Sequence, residues 1–206
     1  LTLDGDFFPD LISPLPGKFQ VENAVAAVCA AWRLSQEGVK IPRSAIADGL
    51  REAVWPGRLE VVARRPLVVL DGAHNPAGAR EVAAFVKEHL AGRRLRLVYA
   101  SMRDKAIGEI SEILFPLAEE VYLTRPEQAR AATPEEILAA VTYRPPSLEI
   151  EPDPARALER AWKASPPEGA VLACGSLFLV GAVKEAIAAG RVEFVPRAEQ
   201  AVIAHK

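Results

Sequence analysis

The chain has 206 residues, half of them hydrophobic and a quarter charged, enough apolar material for a packed core and too much for a disordered segment. Lys and Arg number 25 against 27 Asp and Glu, a net charge of −2, which excludes a protein that works mainly by gripping nucleic acid or an anionic membrane through bulk charge. Its two cysteines, Cys29 and Cys174, fit neither a disulfide framework nor a Cys/His zinc spacing, so free thiols and a cytoplasmic location are expected. In chain order, residues 1–15, punctuated by Pro9 and Pro14, predict extended segments and turns. Residues 22–34 are dense in Ala and Val and predict a helix that Gly38 stops. A second helix is predicted over 42–52, with Pro42 tolerated in its first turn. Trp55-Pro56-Gly57 then ends it and permits a sharp change of direction, so a domain boundary is placed there, giving 1–55 and 56–206.

Beyond the boundary, apolar runs of strand length fall at 59–63, 67–70, 95–100, 120–124, 148–150 and 170–173. Helical patterns lie between them, at 77–90, 104–114, 134–141, 155–164 and 177–189. In the first of these, Ala79, Val82, Ala83, Val86 and Leu90 form one buried stripe. Strands without polar alternation, separated by amphipathic helices, predict an α/β, Rossmann-like, mainly parallel sheet covered on both faces. Residues 191–195 are a candidate edge strand. The longest apolar run, 171–180, is broken by Gly175 and Ser176 and falls short of the ~18 residues of a membrane helix.

Ligands of open parallel sheets gather beyond the carboxyl ends of the strands, and three such ends here carry polar residues. At Leu70-Asp71-Gly72-Ala73-His74-Asn75-Pro76 an acid ends the strand. Gly72 permits backbone conformations closed to other residues, and Asn75 suits the N-cap of a helix starting at Pro76. The spacing aims Asp71 and His74 at the rim of the crevice, beside helix N–H groups that favour anions. The plainer reading is that Asp71 and Asn75 only satisfy turn and cap hydrogen bonds. At the second end Ser101, Arg103 and Lys105 surround a loop in which Asp104 caps the next helix. At the third, Ser176 can cap the last long helix, Gly175 lets backbone approach a ligand, and Cys174 reads as a small buried hydrophobe.

Absences narrow the field further. No Gly-x-Gly-x-x-Gly follows a strand, which argues against a nicotinamide or flavin dehydrogenase, and no phosphate loop of the Gly-Lys-Ser/Thr type is present. A hydrolase nucleophile elbow is missing too. His74, His89 and His205 are scattered, so no metal site is expected among them. Arg58, beside Gly57 at the joint, stands out because a planar guanidinium at a hinge suits phosphate; an inter-domain ion pair is the competing reading.

Together, Trp55-Pro56-Gly57-Arg58-Leu59-Glu60, the Leu70–Pro76 stretch, and Gly175-Ser176-Leu177-Phe178-Leu179-Val180-Gly181 resemble the carboxyl-terminal domain of the folylpolyglutamate synthase/dihydrofolate synthase family, within the Mur-ligase superfamily. Pro16-Gly17-Lys18-Phe19-Gln20-Val21-Glu22-Asn23-Ala24 resembles the last stretch of that family's central ATPase domain. The resemblance implies an ATP-dependent ligase in which ATP phosphorylates a folate or dihydropteroate carboxylate and the amino group of L-glutamate attacks the acyl phosphate. It also implies that Asn23 contacts adenine, Arg58 the ATP phosphates and Asp71 the ribose hydroxyls, and that His74 and Ser176 face the glutamate or the acyl phosphate. Mg2+ is implied as well, with its ligands mostly upstream.

Phe19 stands where relatives often have His, and Ala106 where an acid is frequent. The family's phosphate loop, magnesium ligands and most of its pterin surface precede anything in this chain, which opens at Leu1 without a methionine. The expectation is therefore the back portion of a longer, monomeric synthase, partnered by its own upstream half and giving no turnover alone. Two other readings stay open: a Mur-type cell-wall amino-acid ligase, and a nucleotide-binding or regulatory module without catalysis.

Overall fold

A computed structural model describes residues 1–194; Val195 and His205 lie outside the described residues. The chain divides into two compact units, Leu1–Pro56 and the part from Gly57 onward.

The first unit opens with a hairpin. Asp4-Gly5 joins β1 (Thr2–Leu3) to β2 (Asp6–Phe7), and both turn residues have positive φ, 44° and 88°, the mirror-image turn whose twist matches paired strands. The helix α1 (Lys18–Gln36) begins directly after Pro16-Gly17 rather than at residue 22. It ends before Gly38, whose φ of 94° lets its N–H reach the Ser35 carbonyl. Helix α2 (Arg43–Arg51) follows, with Pro42 at its N-cap. Phe8, Val28 and Ile46 form the buried centre, against which Leu3, Leu11, Trp32 and Leu50 pack. Asp6 ties the hairpin to both helices: it accepts the Trp32 indole N–H at 2.8 Å and pairs with Arg43.

The second unit is a six-stranded sheet in the order β3-β4-β8-β5-β6-β7. Its strands are β3 (Glu60–Arg64), β4 (Leu67–Asp71), β5 (Leu95–Tyr99), β6 (Glu120–Leu123), β7 (Ser147–Ile150) and β8 (Ala170–Cys174). All neighbours run parallel except β3 with β4. Arg64 pairs with Leu67, leaving only Arg65-Pro66 to connect the two strands, and so short a link cannot make a parallel crossover. The helices are α3 (Pro76–His89), α4 (Ile107–Leu114), α5 (Pro134–Ala140), α6 (Pro154–Ala164) and α7 (Leu177–Ala188). Helices α6 and α7 pack on each other and on β4, β5 and β8, while α3 packs on α4 and α4 on α5.

Burial explains the unalternated strands. Every residue of β5 and β8 is buried, as are Val68, Val69 and Leu70 of β4, so both faces of the central strands are covered. Each fully buried Val or Leu contributes ~1.5–3 kcal/mol relative to exposure. The stripe on α3 is buried as its spacing predicts, from Ala79 to Leu90. Two expectations are corrected. Asp104 does not cap α4, which starts at Ile107 behind Ala106 with no side-chain cap; Asp104 instead pairs with Lys105 and Arg130. Residues 191–194 form no strand.

Candidate functional site

Three strand ends lie side by side at the carboxyl edge of the sheet. Asp71 at the end of β4 is the register partner of Cys174 at the end of β8, and Cys174 also pairs with Tyr99 of β5. The loop after β4 is therefore held beside the loop after β8. Several of the backbone groups there are paired. Gly72 N–H donates to the Gly57 carbonyl at 2.8 Å. Ala73 N–H donates to Asp71 Oδ1 at 2.7 Å, and the Cys174 thiol lies 3.8 Å from the Ala73 carbonyl. Asn75 caps α3 by accepting the Gly78 N–H at 2.8 Å, with Pro76 behind it. For Asn75 the plainer reading holds.

Asp71 is the centre of this network. It is 2% exposed: Oδ1 takes the Ala73 N–H and Oδ2 takes the Leu59 N–H at 2.9 Å. Each oxygen accepts one backbone N–H and keeps a further lone pair. Burial raises its carboxyl above the ordinary range, opposed by the Ala73 and Leu59 N–H bonds and then by the charges of Arg58 and His74.

The segment before β3 folds against that carboxylate. Gly57 and Leu59 both have positive φ, 72° and 47°, and for Leu the left-handed conformation is uncommon and costly. The bonds from Leu59 N–H to Asp71 and from Gly57 N–H to Glu60 Oε2, at 2.7 Å, hold it there. Arg58, between them, is partly buried, and its guanidinium makes no hydrogen bond or ion pair among the described residues.

His74 is partly buried and its Nδ1 lies 2.8 Å from the Gly72 carbonyl. A carbonyl can only accept, so Nδ1 carries a proton and donates, which leaves Nε2 as the free end of the ring. Ser176, by contrast, is 1% exposed and accepts the Phe178 N–H at 3.1 Å as the N-cap of α7. The capping role that the sequence offers for it is present. Cys174 is fully buried, and burial drives its thiol well above the ordinary value, with the Asp71 charge adding to that effect. Its surroundings are those of a small buried hydrophobe.

Two glycines are required for different reasons. A Cβ at Gly175, whose φ is 110°, would stand 2.3 Å from the Ala100 carbonyl oxygen and 2.5 Å from the Tyr99 ring. Gly72 needs no special φ, contrary to expectation; its Cβ would stand 2.2 Å from Leu177 Cδ2. Asn23 belongs to the first unit, where it is exposed and donates through Nδ2 to Gln20 Oε1 at 2.9 Å. It lines an apolar groove of about 340 Å³ with Val28, Ile46, Leu50 and Trp55. Sequence reading passed over Glu60 and Lys184, which pair with each other in the second unit. Glu60 stands within the Trp55–Glu60 motif, but nothing in the sequence points to Lys184.

These parts define a class: a Rossmann-like α/β domain that presents a cationic side chain and an imidazole at the carboxyl edge of parallel strands, the place where such folds bind ligands. Residues 57–177 match the family described as Mur ligase, glutamate ligase domain, and the chain belongs to that family. It is 40% identical over 173 residues to the probable bifunctional folylpolyglutamate synthase/dihydropteroate synthase of Haloferax volcanii, covering 83% of this chain and 20% of that protein. Against the dihydrofolate synthase/folylpolyglutamate synthase of Bacillus subtilis the identity is 30% over 179 residues, 86% of this chain and 41% of the relative. The solved structure of E. coli FolC in complex with DHPP and ADP superposes with a TM-score of 0.77 at 30% identity, over 89% of this chain and 42% of that one. This chain thus spans less than half of each of these proteins.

Proposed function

We propose that this chain supplies the glutamate-ligase part of an ATP-dependent synthase that joins L-glutamate to the carboxylate of a folate or of dihydropteroate, and that it works with an upstream ATPase part. The observation that carries the reading is the edge at Arg58 and His74. There the guanidinium makes no hydrogen bond or ion pair among the described residues, and the imidazole, held through Nδ1 by the Gly72 carbonyl, keeps its Nε2. Relatives named for this reaction, and a FolC structure holding ADP, support it.

In this proposal Arg58 binds phosphate oxygens, for which a planar fork of donors is suited. His74, oriented by the Gly72 carbonyl, presents Nε2 to the reacting carboxyl or amine, to accept a proton when neutral or to balance negative charge when protonated. Asp71 and Ser176 act through backbone, the one fixing Leu59 and Ala73, the other the first turn of α7. In the first unit, Asn23 keeps its Oδ1 and one N–H beside an apolar groove, an edge that suits adenine. Magnesium accompanying the nucleotide is assigned ligands mostly in the upstream part, as the resemblance implies. Among the described residues no helix is long and apolar enough to cross a membrane, and the proposed site of action is the cytoplasm.

The test joins the upstream part of the Bacillus subtilis relative to this chain and follows ATP-dependent addition of labelled glutamate to dihydropteroate and to a reduced folate. The chimera should form product and the chain alone none, and Arg58→Ala should lower kcat/KM for ATP about 10- to 100-fold. Product from the chain alone would overturn the need for an upstream part. A folded chimera that binds ADP but ligates neither acceptor would overturn the activity.

A further inference from the structure

We propose that Glu60 and Lys184 are positioning residues for Arg58, with Lys184 keeping the Arg58 guanidinium free for a phosphate group. The inference rests on the phosphate role assigned to Arg58 above. Arg58 lies between two residues of positive φ, Gly57 and Leu59, and the backbone N–H on each side is held by a carboxylate. On the Leu59 side that carboxylate is Asp71, buried and bonded to backbone through both oxygens. On the Gly57 side it is Glu60, whose Oε2 accepts the Gly57 N–H at 2.7 Å while Oε1 pairs with Lys184 of α7.

The charge of Glu60 is the decisive feature. A carboxylate two residues from Arg58 is a ready intramolecular partner for a guanidinium, and a phosphate would have to displace it before binding. Charge-assisted pairs of this kind are among the stronger polar contacts, so such competition weakens ligand binding directly. Lys184 removes the competitor. Its ammonium occupies Glu60 Oε1, in a pair whose side chains are 35% and 26% exposed, and Glu60 keeps only its bond to backbone. The same pair anchors the Arg58 segment to α7, whose N-cap lies at the same edge of the sheet.

The experiment uses the full chain, tripolyphosphate as the probe, and the Nε–H resonance of Arg58 in heteronuclear NMR. Lys184→Met keeps the apolar stem and removes the charge. It should shift the Arg58 resonance as the guanidinium moves onto Glu60, and weaken tripolyphosphate roughly three- to tenfold. Adding Glu60→Gln, whose amide oxygen can still accept the Gly57 N–H, should return both readouts to those of the wild type, as should Lys184→Arg in place of Lys184→Met. A merely structural role for the pair would not be rescued by neutralising its second member. If Lys184→Met leaves the Arg58 resonance unmoved, or the double variant fails to restore it, the positioning role is wrong. The phosphate role of Arg58 fails separately: tripolyphosphate bound equally well by Arg58→Ala, or not bound by the wild type, overturns that role. In either case the Arg58 resonance still decides what Lys184 does.

Discussion

At Asp71, burial and hydrogen bonding pull in opposite directions. Both oxygens accept backbone N–H groups, which favours the ionised form, yet burial dominates and raises the carboxyl above its ordinary value of 3.8. Asp71→Asn keeps one acceptor oxygen and sets an NH2 donor against the other N–H. The loss should be about 1–3 kcal/mol in urea unfolding, the cost of one buried unpaired donor. The sign of the pH effect follows from the raised value. At neutral pH the ionised group costs stability, that cost fades as pH falls through the folded-state value, and nothing more is gained below 3.8. Carbon-13 NMR of the Asp71 carboxyl should find it titrating above the usual aspartate range. At Gly175 steric space is absent on two sides, so Gly175→Ala should cost roughly 3 kcal/mol or more by thermal melting. Gly72→Ala meets only the end of a flexible Leu177 and should cost about 1–2 kcal/mol. Asn75 and Pro76 are legible in sequence because a cap is a local device. The direction of Asp71 is not, because its partner, the Leu59 N–H, comes from a segment twelve residues away held in a conformation leucine rarely adopts.

Elements were legible wherever both faces of a strand are buried, since unbroken apolar runs such as Leu67–Leu70 need no periodicity argument. They were less legible where pairing or charge decides. The Asp4-Gly5 dipeptide is a strong hairpin signal, yet the strands it joins are two residues each, too short for any hydrophobic pattern. Asp104 looks like a cap by position, but salt bridges to Lys105 and Arg130 engage it, and α4 starts later. Ser176 is a cap in fact, so Ser176→Ala should destabilise the fold by about 0.5–2 kcal/mol, with loss of amide protection in the first turn of α7. A deficit in ligation beyond what that fraying explains would assign this serine a substrate contact as well. On α5, Thr133 and Glu136 form a reciprocal capping box, and Glu136 also receives Arg103 from the loop after β5. Thr133→Ala should therefore loosen that loop as well as the helix, which the line width of Arg103 amide signals would report.

The whole molecule holds two units of unequal strength. The second buries a sheet on both faces, whereas the first centres on Phe8, Val28 and Ile46 and leaves Val21, Leu34, Val54 and Trp55 exposed. A unit of this size buries a smaller fraction of its apolar surface than a larger one and is correspondingly marginal. Native-state hydrogen exchange should show α1 and α2 opening at lower free energy than β4, β5 and β8, and Ile46→Ala should widen the gap by about 2–4 kcal/mol. Acid should widen it too. The Trp32 indole N–H, and after it the Arg43 charge, lower the Asp6 carboxyl below its ordinary 3.8. A lowered value means stability that is present above 3.8 and lost as pH falls through the folded-state value. The Trp32 indole proton should thus lose protection at the acid end of a titration before the amides of the central strands do. Equal protection in the two units at every pH would mean that they unfold as one, and the division between them would have no energetic meaning.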